Sequence, residues 1–566
     1  MTKAKVARTV YCILLSLSLM LAPIESLPPE LYTHILSHIP SEDLQQTVLA
    51  LTRAAARSPI PIYHLFERVR LRHGDQVIQL YRRLRKNSED AAWVRHFSLE
   101  CWTVDADVVV NLLALLAKLR ELTLFIGPFF APEHLEEMFQ KPMEELRFIS
   151  LRFRPYVQRA TYYQFLKVRE GDMLGAYCSS NIFCQGAYFD STLLAFSRWP
   201  AGELPTLSIV QEPLDPSIAP TKFAQPLVFF RLDTLSTLAL CPLLENLHHF
   251  RLRVPTRQAA RFLYALPNAL PNIELLDMST CNVVEADVEG MLGRFDKLKA
   301  LVLDGCHIVS QRADVQGQDG ETLGHWAGLG KTMALAGVKY AREREKRLKL
   351  WLEASHARAA AALAGIEPAV EQAPMRRQPR RGRRGLATAT VSLRNSPPKD
   401  TIFLPKVPST SRLPLQNQRI RILPSLPTIH SLATTTPVSM GPEKHGAIRV
   451  EFERGWAEGV MQLSAIRGRL RQSWGNGMRV VMFDRDYEPD EEDGDGEDGL
   501  AGLKDVEDEG AFVVPVVEDS ADGHGEKSGA TVASCPILCL AGPGRKEGHI
   551  DGCGHQLGWG VWRDDL

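Results

Sequence analysis

Residues 273–282 read IELLDMSTCN, and residues 298–307 read LKALVLDGCH. In both segments apolar residues stand at the first, fourth and sixth positions, and a cysteine stands at the ninth. The two segments start 25 residues apart, which indicates a structural unit that repeats along the chain.

The same apolar spacing occurs five more times upstream. The full set is Val94/Phe97/Leu99, Leu119/Leu122/Leu124, Leu146/Ile149/Leu151, Leu204/Leu207/Ile209, Leu247/Phe250/Leu252, Ile273/Leu276/Met278 and Leu298/Leu301/Leu303. The steps between the central residues are 25, 27, 58, 43, 26 and 25 residues. Four of the six steps fall in the range of about 20–29 residues that leucine-rich repeats use, and the longest is close to two repeats.

This pattern resembles an irregular leucine-rich repeat, with cysteine or Cys-Asn where such repeats usually place an asparagine or cysteine. The resemblance implies a solenoid over residues 73–310, in which a short parallel strand and a helix form each unit and bury their apolar face on the neighbours. A leucine-rich α/β domain without repeats is the alternative. Residues 168–185 interrupt the series, and we interpret them as a translated retained intron or a surface loop.

A second informative stretch, residues 27–44, reads LPPELYTHILSHIPSEDL. A proline in the first turn of a helix costs no hydrogen bond, because its N–H would be unpaired there. Apolar residues follow at helical spacing, the chain breaks at Pro40, and a second helix is predicted from Ser41 onward. Two short helices with a shared apolar face require a partner to cover that face.

The stretch resembles an F-box, the helical motif that docks substrate receptors onto the Skp-type adaptor of cullin-RING ubiquitin ligases. We assign the F-box to residues 27–72, although its third helix departs from the family pattern. The resemblance implies an adaptor-binding surface formed by Leu27, Pro28, Leu31, Ile35, Leu36, Ile39 and Leu44. The alternative is an ordinary helical hairpin that packs only on its own domain.

Residues 1–26 form an apolar leader. Three basic residues precede the apolar run from Thr9 to Ala22, as in a signal peptide. A working signal would carry the F-box away from its adaptor, so we interpret the leader as either a signal or an incorrectly predicted translation start. The ten cysteines show no disulfide framework, which fits the cytoplasm or nucleus.

The sequence predicts that the repeats end near residue 310. We expect a helical extension over residues 311–366, a disordered linker over 367–442, a helical segment over 443–483 and a disordered acidic region over 484–530. The linker carries six arginines between Arg376 and Arg384, and the acidic region carries ten acids between Asp484 and Asp498. Because no aromatic residues interleave with the arginines, they favour an import signal or a solvated linker over specific nucleic-acid binding.

The C-terminal tail, residues 531–566, contains Cys535, Cys539, His549, Cys553 and His555. Thiolates and imidazoles are the ligands that zinc prefers. The spacing fits no familiar zinc finger, so the sequence favours a partly ordered tail with free cysteines, and we assign no metal ligands. We also assign no cofactor and no catalytic residues, because no nucleophile stands beside a base in an interpretable scaffold.

The expected fold class is therefore α+β with repeats: a helical F-box, an α/β solenoid, further helices and a largely disordered C-terminal half. The expected function is non-catalytic substrate recognition in a Skp–cullin–F-box ligase. The expected partners are a Skp-type adaptor, a cullin reached through it and an unknown protein client, with no membrane unless the leader works. A repeat scaffold without ligase coupling is the alternative.

Overall fold

A computed structural model gives the fold. It describes residues 27–55, 58–127, 129–154, 188–212, 232–266, 269–306, 308, 319–363, 420–436, 442–483, 502–514, 534–543 and 548–562. These residues form a mixed α/β structure, as the sequence predicts, around a ten-stranded sheet. All strand pairs in this sheet are parallel, and a separate three-stranded sheet lies beside the C-terminal helices.

The strands of the large sheet follow one another in chain order. They are β1 (Arg68–Leu71), β2 (His96–Leu99), β3 (Glu121–Ile126), β4 (Phe148–Phe153), β5 (Thr206–Gln211), β6 (His249–Arg253), β7 (Leu275–Asp277), β8 (Ala300–Val302), β10 (Ser431–Ala433) and β13 (Ile537–Cys539). The small sheet contains β9 (Ile420–Ile422), β11 (Arg479–Phe483) and β12 (Leu503–Asp505).

Helices connect the strands. They are α1 (Pro29–Ser37), α2 (Ser41–Ala54), α3 (Tyr63–Glu67), α4 (Gly74–Lys86), α5 (Ser88–Ala91), α6 (Ala106–Leu113), α7 (Pro132–Met138), α8 (Tyr188–Phe196), α9 (Asp233–Ala239), α10 (Ala260–Tyr264), α11 (Glu285–Arg294), α12 (Asp319–Leu363), α13 (His445–Gly475) and α14 (Gly554–Trp562). From α6 to α13 each helix packs against the next, so the helices form one layer beside the sheet.

The apolar spacing found in the sequence fixes the register of the sheet. The central residues of the seven predicted units are partners in neighbouring strands, from Phe97 and Leu122 through to Leu276 and Leu301. Each is fully buried toward the helical layer. Because side chains alternate across a strand, residues such as Ser98 and Thr123 lie on the opposite face, which we call the outer face.

The cysteines that end two units have a structural role. The Cys281 thiol donates to the carbonyl of Leu252 over 3.2 Å, and the Cys306 thiol donates to the carbonyl of Met278 over 3.3 Å. Each bond reaches the preceding strand or the residue directly after it, so these side chains link neighbouring strands of the sheet. Burial raises the pKa of Cys281 to about 12, which keeps it a thiol at neutral pH.

The longest step in the series is one unit and not two. Strand β4 pairs directly with β5 over six residues, from Phe148 opposite Thr206 to Phe153 opposite Gln211. The reading of 58 residues as two repeats is therefore wrong, since the extra chain lies between adjacent strands. The proposed intron, residues 168–185, lies outside the described residues, as do the leader, the Arg376–Arg384 cluster and residues 484–498.

The sheet continues beyond residue 310, where the sequence predicts that the repeats end. Strand β10 pairs with β8, and β13 pairs with β10, so two more strands come from segments assigned to the linker and the tail. Leu432 and Leu538 continue the line of central residues, partnered with Leu301 and with each other. Their apolar side chains are buried by these distant neighbours, and the apolar spacing recurs in full at Cys535/Leu538/Leu540 and in part at Ile429/Leu432.

The C-terminal helices hold these strands in place. Helix α13 packs along α12, and the two helices lie in the segments 311–366 and 443–483 that the sequence predicts to be helical. Arg467 of α13 is buried and donates to the carbonyls of Pro424, Ala511 and Phe512. Residues 502–514, predicted to be disordered, therefore form β12 and a 3₁₀ turn, Glu509–Phe512, against the helix.

Two glycines of α13 lie where the helix packs against α12. A Cβ atom at Gly455 would overlap the carbonyl of Ala327 in α12, and one at Gly459 would lie 2.7 Å from the Cβ of Ala334. The missing side chains let the two backbones approach, which offsets the low helix propensity of glycine. Gly468 faces open space, so no packing offsets its propensity cost.

Among the described residues, no helix combines the length and the apolar character needed to cross a bilayer.

Candidate partner-binding surfaces

The N-terminal hairpin consists of residues 27–67 and contains α1, α2 and α3. Pro29 and Glu30 start α1, where the proline needs no partner and the carboxylate favours the helix N-terminus. Pro40 separates α1 from α2. A small core of Tyr32, Leu36, Val48, Ala55 and Ile60 holds the hairpin together.

The hairpin is fixed to the first strand of the sheet. The side-chain Nε2 of Gln45 in α2 donates to the backbone carbonyl of Leu65 over 3.3 Å and to that of Arg68 at the start of β1. Leu65 packs against both the hairpin core and the core of the sheet. The hairpin therefore closes the N-terminal end of the sheet in a defined orientation.

The structure separates the seven predicted adaptor-binding residues into three groups. Leu31 and Ile35, one turn apart on α1, are 45 % and 50 % exposed. Pro28 is exposed as well, while Leu27, Ile39 and Leu44 are half-buried. Leu36 is completely buried, so its placement on the docking surface is wrong. It faces the hairpin's own core because Ile35 and Leu36 point to different sides of a helix.

Two further exposed apolar residues belong to the same region. Leu49 on α2 is 41 % exposed and Ile62, before α3, is 46 % exposed. Helical spacing of the apolar residues in α2 does not tell which of them face a partner and which face the hairpin's core. Ile62 lies in an irregular Ser-Pro-Ile-Pro-Ile segment, which gives no periodic signal.

The outer face of the sheet is a second candidate surface. Near its N-terminal end it carries polar pairs between neighbouring strands, such as His96 and Glu121, whose Nδ1 and Oε2 atoms lie 2.6 Å apart. Farther along, Phe125 stacks at 4.6 Å from the ring of Trp102, and the Arg152 guanidinium lies 5.5 Å from Phe125. Tryptophan and arginine are enriched at the energetic centres of protein interfaces.

The C-terminal end of the outer face is covered. Trp562 of α14 packs with Leu275, Ala300 and Val302 of strands β7 and β8. The guanidinium of Arg251 lies 4.5 Å from the Trp562 ring. The chain's own C-terminal helix therefore occupies this part of the surface.

A buried ion cluster marks the boundary between the open and the covered parts. Asp277 is 1 % exposed and accepts hydrogen bonds from Arg251 over 3.1 Å and from Arg253 over 2.7 Å. Burial by itself would raise the pKa of this carboxyl, but the two guanidinium groups and Ser279 outweigh it and lower the pKa to about 2. Asp277 is therefore ionised at neutral pH.

Four of the five metal-binding candidates in the tail come together. Cys539, His549, Cys553 and His555 place one ligand atom each within 4.8 Å of one another. Cys535 stands apart, with its thiol toward the carbonyl of Pro536. The sequence places all five in one tail but does not show which four meet, because that depends on how the loop before α14 folds back on β13.

Comparisons with known proteins leave the family open. No family model matches this sequence, and no curated protein matches it either. One similar solved structure is titled "Crystal structure of Rad7 and Elc1 complex in yeast". It is 14% identical, and the match covers 57% of this chain and 99% of that one at a TM-score of 0.17. An overlap of this quality does not define a shared fold.

Proposed function

We propose that this protein is a non-catalytic substrate receptor that docks on a Skp-type adaptor through its N-terminal hairpin. The observation that carries the proposal is the exposed pair Leu31 and Ile35 on α1. The hairpin already buries Leu36 and Val48 in a core of its own, so the exposed pair is not needed to hold it together. Apolar side chains clustered on one exposed helical face are typical of a protein–protein contact.

The remainder of the fold would present the client. The parallel strands and their helical layer suit the leucine-rich-repeat-like solenoid that the sequence predicts. The outer face near Trp102, Phe125 and Arg152 offers aromatic and basic groups for a protein client. Holding that client near a ubiquitin-charged enzyme accelerates transfer by raising its effective concentration, with no chemistry by this chain.

The proposal places the protein in the cytoplasm or nucleus, where such adaptors and cullins act. A scaffold without ligase coupling is the competing function. The Gln45 contacts support it, since they fasten the hairpin to β1 and would be sufficient for a hairpin that does no more than cap the sheet. Capping does not account for the exposed Leu31 and Ile35.

The test is binding of the purified full-length protein to a purified Skp-type adaptor, with Leu31→Asp and Ile35→Asp introduced together. An uncharged polar group without a partner in an apolar contact already costs roughly 2–7 kcal/mol, and an ionised carboxylate costs more. We expect at least a tenfold loss of affinity, which corresponds to about 1.4 kcal/mol.

The matched control is Leu240→Asp with Leu557→Asp, since both leucines are 47 % exposed and lie away from the hairpin. We expect the control to bind like the wild type. If the wild type does not bind the adaptor, or if the folded hairpin double mutant binds normally, the proposed docking surface is wrong.

A further inference from the structure

We propose that Cys539, His549, Cys553 and His555 form a structural zinc site that fastens helix α14 to the sheet. The four residues come from three pieces of the fold: the end of β13, the loop before α14, and α14 itself. They are the one group of His, Cys, Asp and Glu in the described part of the chain that brings ligand atoms close enough for a metal ion.

The spacing of the ligand atoms fits a tetrahedron. The Nδ1 atom of His549 lies 3.5 Å from the sulfur of Cys539 and 3.6 Å from that of Cys553. With Zn–S bonds of about 2.3 Å and Zn–N bonds of about 2.0–2.1 Å, neighbouring sulfur and nitrogen ligands of a tetrahedral ion are about 3.6 Å apart. The side chains are thus separated as they would be around an ion.

His555 is oriented for metal binding by Asp304. Its Nε2 atom lies 2.8 Å from Oδ2 of Asp304, and both side chains are almost completely buried. The Nδ1 atom is buried as well, and the His555 side chain also interacts with the thiol of Cys539. When Nε2–H donates to the carboxylate, the Nδ1 lone pair faces the other ligands. Metal-binding histidines in proteins usually have this carboxylate partner.

The ligand set selects the metal. Two thiolates and two imidazoles in a tetrahedral arrangement are typical of zinc, and hard cations such as Mg²⁺ and Ca²⁺ prefer oxygen ligands. Four protein ligands leave no position for a substrate or a reactive water. The site is therefore structural, which agrees with its burial under α14.

The backbone is shaped to bring the ligands together. Gly548 and Gly552, which flank His549 and precede Cys553, have φ angles of 89° and 76°. Residues with a Cβ rarely adopt such angles, so the glycines permit the turn that folds the loop back on β13. Asp304 follows β8, so the site links β8, β13 and α14 in one place.

The site would control how much of the outer face is covered. Trp562 lies at the end of α14, where it packs on β7 and β8 and stacks under Arg251. Because α14 is short, its position depends on the contacts at its start, where Cys553 and His555 lie. Loss of the ion would release the helix from the sheet.

The first test is the metal content of the full-length protein, purified under reducing conditions without chelator. We expect one equivalent of zinc in the wild type and in Cys535→Ser, which changes a neighbouring cysteine outside the site. We expect no retained zinc in Cys539→Ser or Cys553→Ser. In Asp304→Asn, affinity should fall by roughly 10–100-fold, the usual effect of removing an outer partner of a histidine ligand.

A second measurement does not depend on variants that might misfold. The wild type is stripped with a chelator and titrated with Co²⁺, whose visible absorption reports tetrahedral coordination and whose thiolate charge-transfer band reports the cysteines. We expect both signals to saturate at one equivalent. Hydrogen exchange should rise in residues 548–562 on stripping and stay constant in α11.

Three outcomes would overturn the proposal. One is wild-type protein without zinc that gives no tetrahedral cobalt spectrum. Another is a Cys539–Cys553 disulfide in the reduced preparation, seen as a loss of two hydrogens by mass. The third is equal zinc loss in Cys535→Ser and Cys539→Ser. None of these outcomes depends on adaptor binding, so the zinc site and the proposed function fail separately.

Discussion

The first eight strands and the last two strands of the large sheet pair in the same parallel way, although the chain segments that connect them differ greatly in length. Up to β8, neighbouring central residues are between 25 and 58 positions apart. Strand β10 comes 131 positions after its partner β8, and β13 comes 106 positions after β10. A regular period therefore identifies strands in this sheet but is not required for a segment to join it.

The largest effect expected from this comparison is at Leu432, the central residue of β10. It is 1 % exposed and pairs with Leu301 on one side and Leu538 on the other. Leu432→Asp buries an unpaired carboxylate, which costs more than a neutral polar group, so we expect the free energy of unfolding in urea to fall by at least about 2 kcal/mol. The control Leu557→Asp, at a 47 % exposed position, should change it by less than about 0.5 kcal/mol. Equal stability of the two variants would mean that the sheet ends at β8.

The free energy of unfolding should depend on pH in the acid range because of Asp277, which lies at the boundary between the open and covered parts of the outer face. Its folded-state pKa of about 2 lies below the ordinary value of about 3.9, so its contribution is present above pH 4 and is lost as the pH falls toward 2. The shift corresponds to roughly 2–3 kcal/mol. Between pH 5 and pH 3, the wild type should lose more unfolding free energy than Asp277→Asn. Parallel pH profiles for the two proteins would contradict this assignment.

The helix pair at the C-terminal end allows a comparison between two glycines of one helix. Gly455→Ala places a methyl group on the backbone of α12, which should lower the free energy of unfolding by roughly 1–3 kcal/mol. Gly468→Ala meets no neighbour and should raise it by up to about 1 kcal/mol through helix propensity. Thermal unfolding of both variants measures the difference. Changes of the same sign would show that α12 and α13 do not approach closely.

The smallest effect is expected at the opposite end, on the exposed face of the N-terminal hairpin. Ile35→Ala should change the free energy of unfolding by no more than about 0.5 kcal/mol. Leu36→Ala, its buried neighbour, should lower it by roughly 2–5 kcal/mol. Circular dichroism during urea unfolding measures both. If Ile35→Ala were the more destabilising variant, α1 would present the other side to its core.

Strands β2 to β8 could be predicted from the sequence because each of their units carries all three apolar positions of the pattern. Strand β1 carries it too, as Phe66, Val69 and Leu71, and it could have been found by the same rule. The repeat pattern fails at β10, where the third apolar position is Thr434. Its hydroxyl donates to the carbonyl of Leu303 over 3.1 Å, a contact that no local rule reveals.

For the candidate sites, too, the sequence shows which residues are suitable but not which of them come together in the fold. Helical spacing identifies Leu31 and Ile35 but also selects Leu36, since one turn of a short amphipathic helix does not show where its own core ends. The Cys/His residues are visible as a group of suitable side chains. The contact of His555 with Asp304, 251 residues earlier in the chain, could not be found from the sequence.

The long interval between β8 and β10 has a consequence for synthesis on the ribosome. At about 5–20 residues per second, roughly 7–26 s separate the emergence of the two strands. During that time the hydrogen-bonding groups along the free side of β8 have no partner, and an unpaired strand edge readily pairs with another chain. The nascent protein would be most exposed to aggregation in this interval, which makes the translation of residues 303–433 the step at which a chaperone would matter most.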